Sequence, residues 1–205
     1  MTILTRLTDA LLAVVFAGLL WTLASIPLVT AGPACAGLCA VMTAWDEDGP
    51  PRVWSTFWSG FGRNFRQGVW FSLLTAVAAA LLSIDVLYAF RAEDAPLRVP
   101  VLTVALLGIL AVSGTLVYLY PLLVRYPGPW RRTLRNAALF AAAHPLTSLA
   151  GLLLTLAAAV GVLMVPVSLP LAAGLVGWVI CRLTGRVFDR FEARQASLQR
   201  AETSA

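Results

Sequence analysis

The chain has 205 residues, 60% hydrophobic and 12% charged, with a formal net charge of +5 and a mean hydropathy of +0.83. A soluble domain is nearer half apolar and a quarter charged, so a single membrane domain over 1–205 is implied and a large soluble one excluded. All fifteen basic residues are arginine, scattered between apolar runs rather than interleaved on one polar face, which disfavours nucleic acid as a partner and favours membrane lipid.

After a short lead with Arg6 and Asp9, apolar sequence runs over about 10–45. About 20 helical residues cross a bilayer core, so this run is too long for one helix. Ser25-Ile26-Pro27-Leu28-Val29-Thr30-Ala31-Gly32-Pro33 breaks it. The first span is expected over 10–27, and a second helix over 33–45. Thr30 is its expected N-cap, and Pro33 falls in its first turn, where a missing N–H costs nothing. At 13 residues the second helix reaches only ~20 Å.

Asp46-Glu47-Asp48-Gly49-Pro50-Pro51-Arg52 reads as a polar turn. In 53–67, Trp54, Phe57, Trp58, Phe61 and Phe65 recur at a spacing of three or four, which predicts an amphipathic helix in the headgroup region. Spans are expected over 68–90 and 101–124, separated by a charge-balanced loop at 91–100. A basic loop with Arg125, Arg131, Arg132 and Arg135 follows. The apolar sequence after it is long enough for two spans, 142–163 and 167–184, turned at Pro166 and Pro170. In the tail, 185–205, arginines recur every four residues from Arg182 through Arg186, Arg190 and Arg194, so the last span is expected to continue as a helix into water. The expected fold is all-α: a polytopic bundle of five or six spans, an interfacial helix and a cytoplasmic C-terminal helix. The arginine-rich segments 46–67, 125–136 and the tail fall on the cytoplasmic side by the positive-inside rule. If 33–45 crosses, the N-terminus with Arg6 is also inside and the spans number six; otherwise they number five.

Chemistry-bearing residues are sparse. Cys35 and Cys39 share a helix face and Cys181 stands alone, an odd set that suits packing better than a metal site or a disulfide framework. Asp85 is the main ionisable group within a span, where an acid is by default a functional candidate. His144 precedes Pro145 and reads as a helix-end residue. Gly60-Phe61-Gly62-Arg63-Asn64-Phe65 lacks the third glycine and the preceding strand of a dinucleotide fingerprint, and no Walker loop is present. No catalytic residue, cofactor or metal is expected, and the chain reads as not an enzyme. Proline-interrupted apolar segments stand near both ends, at Pro27 and at Pro166, the pattern of a transporter built from repeats as well as of two ordinary turns.

Leu20-Trp21, Pro27, Val29-Thr30, Gly32-Pro33 and Ala36, then Phe57, Phe61, Asn64-Phe65 and Gln67, then Tyr120-Pro121-Leu122-Leu123, Arg135-Asn136-Ala137 and Pro145, resemble the YesL-like family of bacterial integral membrane proteins of unknown function. Ala17-Gly18-Leu19 departs from the family, which often carries an Asn shortly before the Trp. The resemblance implies a multi-pass protein of the bacterial plasma membrane. It also implies an association with carbohydrate uptake, since relatives keep company with sugar ABC transporters. The expectation is an accessory or regulatory component beside a sugar permease. Pro27, Thr30, Gly32, Pro33, Asn64, Asp85 and Asn136 are its motif residues. Arg125, Arg131, Arg132, Arg135, Arg186 and Arg190 are its contacts to lipid, to permease subunits or to a second copy. The alternative is a small secondary transporter or channel with Asp85 and the Pro27–Pro33 break lining its path.

Overall fold

The computed structural model describes residues 3–45, 49–91 and 95–203, so the acidic residues 46–48 of the first polar turn and 92–94 of the second lie outside it, as does the Arg6 side chain. Among the described residues eight α-helices follow one another. They are α1 (Ile3–Ala24), α2 (Ala31–Thr43), α3 (Val53–Arg63), α4 (Phe65–Arg91), α5 (Ala95–Arg125), α6 (Trp130–Ala143), α7 (Pro145–Met164) and α8 (Leu169–Thr203). Single 3₁₀ turns, Leu28–Thr30 and Pro166–Ser168, join α1 to α2 and α7 to α8. The described residues are all-α as expected, and four stretches among them are long and apolar enough to cross a membrane: Phe65–Arg91, Arg98–Arg125, Pro145–Met164 and Pro166–Arg194.

The short helix α2 is the axis of the bundle. Gly32 to Ala34 and Ala36 to Met42 are all buried. One core joins Ala17 and Leu20 of α1 to Leu38, Val41 and Met42 of α2, Phe57 of α3 and Cys181 of α8. A second joins Ala36 and Phe71 to Tyr118, Leu119, Leu122 and Leu123 of α5, Ala137 of α6 and Phe188 of α8. Glycines set the helix spacing. A Cβ at Gly18 would lie 1.8 Å from the Pro170 carbonyl oxygen, and one at Gly174 2.2 Å from that of Val14, so α1 and α8 pack backbone on backbone.

Three expectations need correction. The segment 91–100 is not all loop, because the helix is already formed at Ala95. Pro100 sits in its second turn, where it removes only the bond to the Pro96 carbonyl. The basic loop is largely α6: three arginines near its start oppose the helix dipole, yet Thr133 and Ala137 are buried against the bundle. Tertiary packing outweighs the local charge. The helix of 53–67 ends at Arg63 rather than at 67; its aromatics do line one side, with Trp58 and Phe61 rings 5.2 Å apart and Phe61 and Phe65 rings 5.5 Å apart, but Phe57 is fully buried whereas Trp54 and Trp58 are exposed. The tail behaves as expected, continuing α8 without a break to Thr203.

Candidate functional site

Two places carry the polar chemistry of the bundle: the α1–α2 junction, and a cavity beside it. At the junction Pro27 and Pro33 contribute no N–H, so few donors need a partner. Thr30 stands at the N-cap position of α2 without capping it. Its hydroxyl instead donates back to the carbonyls of Ala24 at 2.6 Å and Pro27 at 2.7 Å, tying off the end of α1. The cap comes from another helix: the Gly32 N–H donates to Ser72 Oγ of α4 at 2.7 Å. The approach is close because both sides lack a Cβ. One built on Gly32 would meet the Gly68 carbonyl oxygen at 2.1 Å, and one on Gly68 the Pro33 nitrogen at 2.5 Å. Ser72 and Gly68 carried no sequence signal, since a lone hydroxyl and a glycine in an apolar run have many uses. The junction faces outward, with Ile26, Leu28 and Val29 all exposed.

Asp85 is elsewhere. It lies 13 residues beyond Ser72 on α4, ~20 Å further along the helix, exposed and without an ion pair among the described residues. The structure therefore does not bring Asp85 to the break. Asn64 is the single-residue hinge between α3 and α4; its Nδ2 donates to the Gly60 carbonyl at 2.9 Å. His144 is the matching hinge between α6 and α7, exposed, with its ring stacked 6.3 Å from that of Phe140. Asn136 is half-buried on α6. Gln67 Nε2 donates to the Gly128 carbonyl at 2.9 Å, tying the start of α4 to the loop before α6.

That bond and a second one gather the basic segments at one end of the bundle. Arg125 at the end of α5 pairs with Asp189 at 2.6 Å and Glu192 at 3.2 Å on α8. Tyr126 donates to Glu192, and its phenol is pushed up to about 12, first by burial and then by that bond to a carboxylate. Arg125, expected as a lipid or partner contact, is exposed and also engaged with α8 through these two pairs. Arg131, Arg132 and Arg135 on α6, and Arg186 and Arg190 on α8, are exposed. The two helices adjoin, Phe140 packing edge-on to Phe188 at 5.3 Å and to Phe191 at 5.4 Å.

Beside the junction a cavity of about 680 Å³ opens between α5, α7 and α8, with Trp21 and Cys35 at its back. The Trp21 indole N–H donates to Cys35 Sγ at 3.2 Å. Cys35 and Cys39 line it together, as their spacing implied, and all three cysteines are free thiols. Among the described residues no cluster of His, Cys, Asp or Glu has a metal-binding arrangement.

Residues 12–86, from α1 into α4, match the family described as "Protein of unknown function, DUF624". That span contains Leu20-Trp21, the Pro27–Pro33 core and Phe57 to Gln67, so the resemblance read from those residues holds. The chain is 32% identical over 133 residues to the uncharacterized protein YesV of Bacillus subtilis (strain 168), covering 63% of this chain. It spans 62% of that relative's length. No solved structure matches.

Proposed function

We propose, from the premise that the chain belongs to the DUF624 family of proteins of unknown function through residues 12–86, that it is a non-catalytic accessory component of a larger assembly in the bacterial plasma membrane. The observation that carries this reading is the exposed arginine surface of two adjoining helices, α6 and α8, at one end of the bundle. Arg131, Arg132, Arg135, Arg186 and Arg190 point away from the core, and five guanidinium groups on neighbouring helices suit an acidic protein face or anionic headgroups. With that end cytoplasmic by the positive-inside rule, α8 projects as a docking helix and α3 lies at the interface, its exposed Trp54 and Trp58 at headgroup level.

The interior supports the same reading. Binding a sugar takes several convergent polar groups, whereas the cavities are walled mainly by Leu, Val, Ala and Ile, with Thr75, Ser83 and Ser113 the hydroxyls of one and Ser113, Tyr120 and Thr155 those of the other. The link to carbohydrate uptake rests on the resemblance to YesL-like proteins alone. The partner it points to is a permease subunit of a sugar transporter. Affinity purification from bacterial membranes in mild detergent tests this. The expected result is co-elution of permease subunits, lost when Arg131, Arg132, Arg135, Arg186 and Arg190 are replaced by Gln in a protein that still elutes as a single species. Repeated recovery of the chain alone overturns it.

A further inference from the structure

The cavity beside the junction is not accounted for by a docking role at the basic end. Its volume, about 680 Å³, lies in the range that encloses small ligands. It runs along α7 from Leu152 to Leu163 and along α8 from Leu169 to Ile180, a length of ~16 Å at 1.5 Å per residue. That is a long, narrow shape rather than a sugar-sized bowl. Three of its walls, α5, α7 and α8, are helices of membrane-crossing length, so the cavity lies within the part of the bundle suited to a hydrocarbon surrounding. A void there leaves its lining atoms without dispersion partners, and the fluid available to fill it is lipid tail.

Few polar groups line the cavity: the Ser113, Tyr120 and Thr155 hydroxyls, the Trp21 indole and the Cys35 and Cys39 thiols. Thr155 is satisfied by the Gly151 carbonyl at 2.8 Å, and the Trp21 indole by Cys35. The Tyr120 hydroxyl makes no hydrogen bond among the described residues, although its ring is half-buried and packs against both hydrophobic cores. An unpartnered hydroxyl is costly at membrane depth, where no water substitutes for the missing acceptor. Tyr120 also lies five residues before Arg125, the basic end of α5, which places it ~8 Å inside that end. Acyl chains join their glycerol at about that depth, below the headgroups that arginine contacts.

We propose that the cavity binds one acyl chain of a glycerophospholipid, whose ester carbonyl accepts the hydrogen bond of the Tyr120 hydroxyl. The apolar walls hold the chain, and Tyr120 sets its register along α7 and α8. This does not depend on the accessory role, because the basic surface and the cavity are formed by different residues.

The test uses the full chain reconstituted in vesicles of phosphatidylethanolamine and phosphatidylglycerol, with a phosphatidylethanolamine probe carrying a mid-chain diazirine. After irradiation, labelled residues are located by mass spectrometry. Label is expected to concentrate on Leu152, Val162 and Ile180 of the cavity wall over the outward-facing Leu153 and Leu156. Ala158→Phe, which fills the cavity, is expected to lower wall labelling roughly tenfold. Tyr120→Phe, which removes one hydrogen bond, is expected to lower it roughly threefold. Neither variant is expected to alter labelling of the outward face. Ala173→Leu fills the cavity from α8 should Ala158→Phe not yield a single species. Equal labelling of wall and outward face, or wall labelling indifferent to the filling and Tyr120 variants, overturns the proposal. So does wall labelling by a diazirine fatty acid that the phospholipid probe does not reproduce.

Discussion

Ser72→Ala removes one hydrogen bond and little else. The Gly32 N–H it caps is in the first turn of α2, where no intrahelical carbonyl is available to it. Gly32 is buried between α2 and α4, and the bond is 2.7 Å long. Deleting the acceptor leaves a buried donor unpaired, at a cost of about 1–3 kcal/mol. For a chain of this size that corresponds to a fall in Tm of roughly 2–12 °C. The control is Ser83→Ala, further along the same helix, whose hydroxyl donates at 2.7 Å to the Ala79 carbonyl of its own helix and is exposed. Its loss is expected to stay within about 0.5 kcal/mol. The assay is thermal unfolding of the purified protein in detergent, followed by tryptophan fluorescence and by recovery of the monodisperse peak. A Tm for Ser72→Ala within 1 °C of the parent (about the scatter of such an assay), or an equal loss in Ser83→Ala, would refute the idea that α2 is capped from α4.

The other predictions probe separate contacts. Gly18→Leu forces a side chain onto the Pro170 carbonyl, and its monodisperse yield is expected to collapse, whereas Gly62→Ala, with open space around its Cβ, is expected to be neutral or to gain up to about 1 kcal/mol. Thr30→Val cuts both back-bonds, to Ala24 at the end of α1 and to Pro27 in the junction; reduced abundance with unchanged partner recovery is the expected outcome, and lost recovery at normal abundance would instead mark Thr30 as part of a binding site. Arg125→Ala is expected to lower Tm by only ~1–2 °C, since the pairs are partly solvated, but to speed proteolysis of α8 beyond Asp189; unchanged cleavage would mean that the pairs do not hold α8. Absorbance titration of the parent against Tyr126→Phe is expected to assign one phenol to about 12. Because that value is raised in the folded state, the contribution of Tyr126 to stability is present below the ordinary phenol range and is lost as pH rises through about 12. Ionisation of this phenol at its ordinary value would remove the hydrogen bond to Glu192 from the account.

What was readable in the sequence followed the range of each interaction. The break at Pro27–Pro33 was legible because proline acts on its own backbone, and the continuation of α8 was legible because its periodicity runs unbroken through the last arginines. Thr30 was placed at the right position with the wrong bond: the N-cap rule concerns neighbours in sequence, and the rival acceptors were the end carbonyls of the preceding helix. Ser72 could not be found, since its partner is 40 residues away and nothing marks one hydroxyl in an apolar run. The start of α6 reads as a basic loop from its arginines, and only the packing of Thr133 and Ala137 against the bundle shows it to be helix. The pairing of Gly18 with Gly174 was equally silent, as a glycine within a span announces no partner.

Counting hydrogen bonds at the junction decides where an unmet polar demand lies. Irregular backbone at membrane depth survives only where its polar groups are satisfied. The Thr30 N–H reaches Pro27 at 2.8 Å, the Ser25 N–H reaches Trp21 at 2.9 Å, and the Thr30 hydroxyl and the Gly32 N–H are both engaged. The Ser25 hydroxyl is the exception, buried without a partner. A junction so closed, with Ile26 and Leu28 turned outward, has little left with which to hold a ligand, and its shortness serves another end. It lets a 13-residue helix, α2, sit buried at the centre, bonded to α4 through Ser72 and joined to α1 through Trp21 and Cys35. The same Trp21 and Cys35 form the back wall of the cavity that Tyr120 also lines. The Pro27–Pro33 stretch thus acts by position: it fixes the back wall of the cavity, on the side facing Tyr120 of α5.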